Sequence, residues 1–515
     1  MSPTGPLPSA LPPARPSRRG LLLGSGVGLA GLAGLAGCTA DSPGRAPVPR
    51  TRQPLTPAVP TAPQEAAIFD LSFKTVDRFR PVELVAPGFV ATDRVRAEDP
   101  GPGLHREDEG PPAPFAAVEV RVSGAADGSS VAAGLATADD QHVLVRWAAA
   151  TGLVTLEVRR AGRTRVLRRK RVALGGDCGL AFALCENQVT ALVDTGDGWQ
   201  PLLTERTKGA DLVDLRREDV LAAHAYAWGA SGVGRASVRA GIFGMTGLRD
   251  PHLVQHADGT PYTRDGRVFL TWTCAGLGFF QQAHWSVWSL DPAAPERMRL
   301  ESQLFTRRDG LVVGDHAGQL VRDGDRWWVA TSSWGDFEPG SIHIRHCESV
   351  DDLLTGVHVL ETEPTPLPTE HGTWDPALTR VDGAWLVGFV ESPSQDPFDF
   401  HPALATSASD TWFKQLSPVA AAAELHQCEG PIIATVDGTT YLLASDGDDR
   451  NYPVFDLSGR RIGRLDAPYP TNIPHPNLVP DPAGGWLLVT FDGTPYDDPV
   501  MGYGGHGDVV VMHSV

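Results

Sequence analysis

The second half of the chain repeats one short pattern five times. Each copy starts with a residue that is followed three positions later by an aliphatic residue, then by a turn and a second apolar strand. The copies begin at Asp250, Ala317, Asp375, Glu429 and His475, which are 67, 58, 54 and 46 residues apart. This spacing suits four-stranded sheets with variable outer loops, repeated around an axis. It predicts a five-bladed β-propeller over residues 247–515.

Turn residues support this interpretation. Asp-Gly and Gly-Gly pairs supply the positive φ angles that a tight hairpin requires. One such pair follows the first strand of every copy: Asp265-Gly266, Asp323-Gly324, Asp382-Gly383, Asp437-Gly438 and Gly484-Gly485. We therefore expect each copy to open with a β-hairpin.

Residues 66–245 also read as strands. Segments 117–122, 142–147 and 153–158 alternate apolar and polar residues between Gly, Asp and Asn turns, which favours an antiparallel sandwich. The segment 187–194 resembles a late strand of the concanavalin-like (laminin-G-like) jelly rolls. The predicted fold is thus all-β, a β-sandwich (jelly roll) followed by a propeller. Two roles stay open for the sandwich, sugar binding and structural support.

The amino terminus has the features of an export signal. Arg18-Arg19 precede an uncharged Gly- and Leu-rich run that ends at Gly37, followed by Cys38. A twin arginine before a weakly apolar segment is typical of export signals, and small residues before a Cys resemble a bacterial lipobox. We predict a twin-arginine lipoprotein signal peptide at 1–37, lipid attachment at Cys38 and a Pro-rich tether at 38–65. The protein would be exported, extracytoplasmic and membrane-anchored; a plain transmembrane anchor is the alternative.

Charge and cysteine content narrow the function classes. The formal net charge is −18, and an acidic surface repels phosphate backbones, which argues against nucleic acid as a partner. The spacing of Cys178 and Cys185 would suit a disulfide across neighbouring strands. Cys274, Cys347 and Cys428 are interpreted as buried free thiols, since no Cys/His cluster has zinc spacing.

Three of the five repeat positions carry carboxylates. In a propeller the innermost strands face a central channel, so Asp250, Asp375 and Glu429 are expected to converge there. Crowded carboxylates repel one another when ionised and cost stability unless they serve a purpose. Glycoside hydrolysis uses such a group, with one protonated acid and one ionised carboxylate.

The motifs around these acids resemble those of glycoside hydrolase family 43. They read Arg249-Asp250-Pro251, Trp374-Asp375-Pro376 and Glu429-Gly430-Pro431. The resemblance implies Asp250 as general base, Asp375 as the residue that orients the acid and tunes its pKa, and Glu429 as general acid. Invertase-like relatives start with an Asn-Asp-Pro-Asn motif that this chain lacks, which disfavours retaining chemistry on fructosides.

Further residues are assigned to the same channel. The resemblance places His475 near its centre, where some family members hold a calcium ion; no cofactor or metal is required by the mechanism. Substrate contacts are assigned to Arg249, Trp374, His316 and His475. Other aromatic candidates for the sugar pocket, each with interblade packing as the alternative, are Trp272, Phe279, Phe280, Trp285 and Trp334.

These predictions lead to a glycosidase. The expected enzyme is an inverting glycoside hydrolase acting on arabinofuranosyl- or xylosyl-containing polysaccharide or oligosaccharide, with the sugar taken from the family resemblance. The alternative is a non-catalytic glycan-binding surface lipoprotein that has kept a degenerate glycosidase propeller. A scaffold protein that holds a partner through the sandwich is a third possibility.

Overall fold

The computed structural model describes residues 67–81, 89–98, 103–206, 211–243, 245–335, 341–495, 503 and 506–515. This part of the chain is nearly all β, as predicted. Its helical elements are one α-helix, α1 (Glu218–Ala223), and two 3-10 turns, Ala67–Asp70 and Phe280–Gln282. No helix in it has the length and apolar character needed to cross a bilayer. The predicted signal peptide, Cys38 and the whole of the tether lie outside the described residues.

Two six-stranded antiparallel sheets come first; strands are numbered in chain order. One sheet contains, in spatial order, β11 (Trp199–Glu205), β10 (Gln188–Asp194), β9 (Cys178–Cys185), β4 (Phe115–Ser123), β13 (Arg235–Phe243) and β2 (Phe89–Glu98). The other contains β3 (Leu104–Arg106), β12 (Ala225–Ser231), β5 (Ser130–Ala136), β6 (His142–Ala148), β7 (Leu153–Arg160) and β8 (Arg163–Arg171). Alternate side chains of both sheets, such as Val118, Phe182 and Val145, share one hydrophobic core, as expected of strands with a two-residue period.

Five further sheets follow. The first consists of β14 (Gly247–Leu253), β17 (Arg267–Ala275), β18 (His284–Asp291), β19 (Ala294–Arg308) and β20 (Leu311–Val313), with β16 (Thr263–Arg264) and β24 (Gly356–Glu361) attached. The second consists of β15 (Gln255–His256), β21 (His316–Asp323), β22 (Arg326–Ser332), β23 (Ile344–Ser349) and β25 (Glu363–Pro364).

The remaining three sheets have four strands each. The third consists of β26 (Gly372–Val381), β27 (Ala384–Gln395), β28 (Phe398–Ser407) and β29 (Ser417–Ala421). The fourth consists of β30 (Cys428–Val436), β31 (Thr439–Asp446), β32 (Pro453–Phe455) and β33 (Arg461–Arg464). The fifth consists of β34 (Asn477–Pro480), β35 (Trp486–Asp492), β36 (Asp508–Ser514) and β1 (Phe73–Phe79).

The five sheets form a closed ring. β14 contacts β21, β21 contacts β26, β26 contacts β30, β30 contacts β34, and β34 contacts β14. These five strands therefore surround one shared region. The predicted hairpin turns are present where the backbone demands them: in Asp382-Gly383, for example, φ is 51° at the Asp and 84° at the Gly.

Strand β1 departs from the predicted layout. It lies within the range 66–245 assigned to the sandwich, yet it pairs antiparallel with β36 in the fifth sheet. The amino-terminal strand thereby covers an edge of the last sheet that would otherwise present unpaired backbone groups. Phe73 packs into the core between the fourth and fifth sheets.

The suggested disulfide between Cys178 and Cys185 is wrong. Both residues lie in β9, at its two ends. Seven extended residues span roughly 23 Å, far beyond the reach of a disulfide. All five described cysteines are free thiols, and burial raises the pKa of Cys185 to about 12.

Candidate functional site

A β-bulge shapes the start of the innermost strand in four of the sheets. The pairing register shifts just after Arg249, His316, Trp374 and Glu429. The next residue in each case has a left-handed backbone, with φ of 47° at Asp250, 51° at Ala317, 52° at Asp375 and 67° at Gly430. Asp tolerates this conformation better than most residues, and Gly adopts it without strain. Bulges of this kind re-aim side chains next to functional sites.

The bulge register corrects one prediction. Glu429 was aligned with Asp250 and Asp375, but its backbone position matches Trp374, and Gly430 occupies the position of the aspartates. The physical reason is space, because a Cβ built on Gly430 would lie 2.3 Å from Cδ2 of His475. In the fourth sheet the carboxylate thus lies one residue before the left-handed bulge residue, whereas in the first and third sheets it belongs to that residue.

His475 connects the two aspartates. Its Nε2 lies 3.4 Å from Asp375 Oδ2 and 3.8 Å from Asp250 Oδ1. Asp250 and Asp375 are each 7% exposed, and His475 is 3% exposed. Asp375 is also held from both sides, since its Oδ2 accepts a hydrogen bond from the Gly430 backbone N–H at 3.2 Å and its own N–H donates to Ser332 Oγ at 3.0 Å.

Glu429 joins this group through Trp374. The indole Nε1–H of Trp374 donates to Glu429 Oε2 at 3.2 Å, and Glu429 is 3% exposed. Two hydrogen bonds therefore connect the third and fourth sheets here: Trp374 donates to Glu429, and Gly430, the residue after Glu429, donates to Asp375, the residue after Trp374. The ring of sheets therefore brings the three predicted acids, His475 and Trp374 into one buried cluster, which we call the acid cluster.

Arg249 is buried beside Asp250. Its guanidinium lies between the rings of Phe491 and Tyr503, 4.7 and 4.5 Å from their centroids. Nη1 lies 3.2 Å from His506 Nδ1, and Nε lies 3.8 Å from Asp250 Oδ1. This stacking places a cation against the faces of two aromatic rings, an arrangement that arginine favours. Tyr503 and His506 were not anticipated, because no repeat motif marks them.

His316 is held against the aromatic side of the site. Its Nε2–H donates to the Phe280 carbonyl oxygen at 2.7 Å, and its ring stacks on Trp334 with centroids 5.9 Å apart. Burial lowers the pKa of His316 to about 4, although the Asp250 charge acts in the opposite direction. The imidazole is therefore neutral near pH 7.

Aromatic side chains continue from Trp334 as one wall. Trp334 contacts Trp374 and Phe280, with ring centroids 5.5 and 5.4 Å apart, and Trp374 stacks on Phe398 at 5.7 Å. We call these four residues the aromatic wall. The other candidates lie elsewhere: Trp272 and Trp285 are buried in the cores between sheets, and Phe279 is stacked under Arg206.

The six-stranded sheets contact the backbone behind this wall. Glu186, in the turn between β9 and β10, accepts a hydrogen bond from Gly314 N–H at 2.9 Å. Asp315 forms a buried ion pair with Arg308, Nε to Oδ2 at 2.8 Å, and accepts the N–H of Gly335 at 2.9 Å. These bonds fix the chain on either side of His316 and Trp334. No sequence motif pointed to Glu186.

A calcium ion beside His475 does not fit the described donors. Calcium takes six to eight oxygen ligands, whereas the imidazole Nε2 itself occupies the space between Asp250 and Asp375. Within the described ranges, no group of three or more His, Cys, Asp or Glu is arranged to hold a metal ion.

Comparison with known proteins identifies no family. No protein-family profile and no curated protein matches the chain. Similar solved structures include a Penicillium chrysogenum alpha-L-arabinanase complexed with arabinobiose, which is 11% identical with a TM-score of 0.34, covering 66% of this chain and 91% of that one.

Two further structures have similar scores. The GH93 alpha-L-arabinofuranosidase of Fusarium graminearum is 12% identical with a TM-score of 0.34, covering 67% of this chain and 91% of its own. Bacillus subtilis levansucrase is 10% identical with a TM-score of 0.40, covering 52% and 86%. Likeness at this level assigns no activity to the chain.

Proposed function

We propose that the ring of five sheets is a five-bladed β-propeller and that its acid cluster hydrolyses a glycosidic bond with inversion. One observation carries the proposal: two buried aspartates share the imidazole of His475, and Glu429 adjoins the peptide N–H bonded to one of them. Burying several carboxylates costs folding free energy, so such clusters are typical of sites where the acids have work to perform.

The three acids are assigned separate roles. Asp250 is the general base and takes a proton from the attacking water, whose oxygen bonds to the anomeric carbon. Glu429 is the general acid and gives its proton to the departing glycosidic oxygen as that bond to the anomeric carbon breaks. An inverting pair of this kind has its carboxyl groups roughly 6.5–9.5 Å apart, which leaves room for the water.

Asp375 acts as a positioning residue. Asp375 accepts a hydrogen bond from the Gly430 N–H and faces His475. It therefore positions the backbone that carries Glu429, and it positions the imidazole that lies between Asp375 and Asp250. His475 and Arg249 place positive or polar groups beside the aspartates and favour their ionised forms.

The aromatic wall is proposed to bind the sugar. Flat apolar faces suit the C–H groups of a sugar ring, and Trp374 belongs both to the wall and to the hydrogen bond on Glu429. Neutral His316 adds a polar group at the edge of the wall. Arabinofuranosyl or xylosyl units are proposed from the family resemblance of the motifs.

The segments outside the acid cluster are assigned roles in export, membrane attachment and support of the site. Residues 1–37 act as export signal, Cys38 carries the lipid, 38–65 form the tether, and residues 247–515 hold the catalytic site. For the sandwich, the bonds from Glu186 and from Gln188 Nε2, which donates to the Leu277 carbonyl, favour support of the site over separate sugar binding.

The test is hydrolysis of aryl glycosides. We expect release from aryl α-L-arabinofuranoside or aryl β-D-xyloside, with product of inverted anomeric configuration by NMR. Glu429→Gln and Asp250→Asn should each lower kcat by at least ~10²-fold, the usual contribution of general acid–base catalysis. Glu157→Gln, a buried acid in the six-stranded sheets, is the matched control and should keep full activity.

Two outcomes would overturn the proposal. Glycan binding without release above background by the wild type would make the chain a binding protein with a degenerate site. A Glu429→Gln variant that behaves as the wild type would remove the acid cluster from the chemistry and would favour a scaffold.

A further inference from the structure

An edge strand of the second six-stranded sheet is strongly basic. β8 (Arg163–Arg171) has the sequence RTRVLRRKR, in which six of nine residues are cations and eight are exposed. It ends the sheet order, so among the described strands it pairs with β7 alone. The rest of the chain is acidic enough to give a formal net charge of −18. We call β8 the basic edge.

Few of these cations are neutralised. Arg168 pairs with Glu205 at 2.7 Å. Within the described parts of the chain, no carboxylate forms an ion pair with the other five, which are Arg163, Arg165, Arg169, Lys170 and Arg171. Clustered like charges repel one another, and their mutual repulsion is relieved when an anionic partner approaches.

Protection of the edge does not account for the number of cations. Charged side chains of either sign can prevent edge-to-edge pairing, whereas all six charged residues of β8 are positive. β11, the corresponding edge of the facing sheet, reads WQPLLTE and carries no cation. The basic edge is therefore a local property of β8 rather than a general feature of the exposed edges.

The cations flank the free edge on both sides. The pairing with β7 puts Arg169 opposite Thr155 and Arg171 opposite Leu153 on one face, and Arg168 and Lys170 on the other. A strand of nine residues is roughly 30 Å long. A flat anionic surface that meets this edge would contact both rows together, whereas a small anion would contact only one or two residues.

We propose that the basic edge docks the folded protein onto the anionic phospholipid headgroups of the membrane. The predicted tether at 38–65 would reach about 80 Å if extended, so a lipid at Cys38 keeps the headgroup surface within reach of every face of the protein. Membrane attachment is commonly built from a lipid chain together with a polybasic patch. The proposal does not depend on glycosidase activity.

The size of the effect follows from the charges. Each Lys or Arg near an anionic membrane surface contributes about fivefold to partitioning. Removal of four cations should therefore lower binding to anionic vesicles by at least ~100-fold, and added salt should have a similar effect because it screens the attraction.

The experiment measures vesicle co-sedimentation of the full chain carrying Cys38→Ser, so that no acyl group is attached. Vesicles of phosphatidylcholine, with and without phosphatidylglycerol, are compared at low and high salt. The test variant combines Arg163→Gln, Arg165→Gln, Arg169→Gln and Arg171→Gln. The charge-matched control removes four exposed cations elsewhere, Arg297→Gln, Arg299→Gln, Arg326→Gln and Arg460→Gln. A variant with Lys at the four β8 positions keeps the charge.

We expect salt-sensitive excess binding to phosphatidylglycerol vesicles by the wild type, the control and the Lys variant, and its loss in the Gln variant. Equal binding by the Gln variant and the control would overturn the proposal, as would a Lys variant that fails to bind. Binding of soluble polyphosphate or polygalacturonate, without binding to vesicles, would replace the membrane with an anionic polymer. Aryl-glycoside turnover, measured in parallel, should be the same in all variants.

Discussion

Gly430 packs directly against the ring of His475. A Cβ built on Gly430 would lie 2.3 Å from Cδ2 and 2.6 Å from Cγ of the imidazole, and the backbone at Gly430 has φ of +67°. His475 Nε2 in turn faces Asp250 and Asp375. The absence of one side chain in the fourth sheet thus sets the distance between the histidine of the fifth sheet and the acids of the first and third.

Gly430→Ala should damage both the fold and the site. The new methyl group must displace the imidazole, and a left-handed backbone strains any residue with a Cβ. We expect the free energy of unfolding to fall by about 2–4 kcal/mol, measured by denaturant titration, with kcat lowered by ~10-fold or more through the displaced acids.

Gly438→Ala is the matched control for that change. Gly438 has φ of +78° in a hairpin turn, and no atom of the described part of the chain lies within 4 Å of a Cβ built there. Its substitution carries the backbone strain without the collision, so it should cost only about 1 kcal/mol and leave kcat unchanged. Equal losses for the two variants would show that the contact with His475 has no energetic consequence.

Trp374→Phe should separate the hydrogen bond on Glu429 from the aromatic stacking. The ring that contacts Trp334 and Phe398 is largely kept, but the Nε1–H that donates to Glu429 Oε2 is removed. Glu429 becomes negatively charged as it gives up its proton, and a hydrogen bond to a charged group is worth about 1.5–3 kcal/mol. We therefore expect kcat to fall by ~10-fold or more, with a displaced limb in its pH profile and a smaller change in KM.

Trp272→Phe provides the comparison. Trp272 is fully buried between sheets, and its Nε1–H has no hydrogen-bond partner among the described residues, so only packing is lost. A small decrease in stability without any shift of the pH profile is expected. If Trp272→Phe moves the pH profile as far as Trp374→Phe does, the bond to Glu429 is not what tunes the reaction.

The sequence identifies the three acids but not the position of each acid relative to the β-bulge. Asp250, Asp375 and Glu429 were aligned because all three are carboxylates at the start of a repeat. The backbone aligns Gly430 with the aspartates instead, since the shared requirement is a left-handed residue at the bulge. Asp and Gly both satisfy that requirement. Aligning the residues by their carboxylates therefore selects Glu429, although Gly430 is the structural equivalent of the two aspartates.

The pairing of strands that are far apart in the chain could also not be predicted from the sequence. The alternating pattern of Phe73–Phe79 is that of any half-buried strand, and it does not encode that its partner is β36, more than four hundred residues away. The spacing of Cys178 and Cys185 is compatible with either a hairpin or a single strand, and in the structure both residues lie in the single strand β9. Local turns such as Asp382-Gly383 were predictable because their chemistry acts within two residues.

Buried histidines should link stability to pH on the acidic side. Burial lowers the pKa of His284 to about 3, whereas in the unfolded chain the pKa is about 6.5. The unfolded state therefore binds more protons between these values, and the free energy of unfolding falls as the pH falls. His284→Gln should reduce this slope by about 1.4 kcal/mol per pH unit near pH 5. An unchanged slope would mean that His284 is protonated in the folded protein.

Glu186 should have the opposite dependence. Burial raises its pKa well above the ordinary value, against the hydrogen bond from Gly314. The folded state then binds more protons than the unfolded state above about pH 4.3, so this residue lowers the free energy of unfolding as the pH rises. Glu186→Gln keeps an oxygen acceptor for Gly314 N–H and should stabilise the protein at pH 7 relative to pH 4.5, measured by thermal unfolding at both values.

Glu157 tests the sign of that argument. Burial acts to raise the pKa of Glu157, but the His142 imidazole, whose Nε2 lies 3.7 Å from Oε1, and the Arg146 guanidinium, whose Nε donates to Oε1 at 2.9 Å, outweigh it and lower the pKa. Its ionised form therefore stabilises the folded state above the unfolded pKa of about 4.3, and Glu157→Gln should destabilise the protein at pH 7. If both Gln variants shift stability in the same direction, burial does not control Glu186. If Glu186→Gln is stabilising yet lowers turnover, the acid behind His316 and Trp334 is retained for the site at a cost in stability.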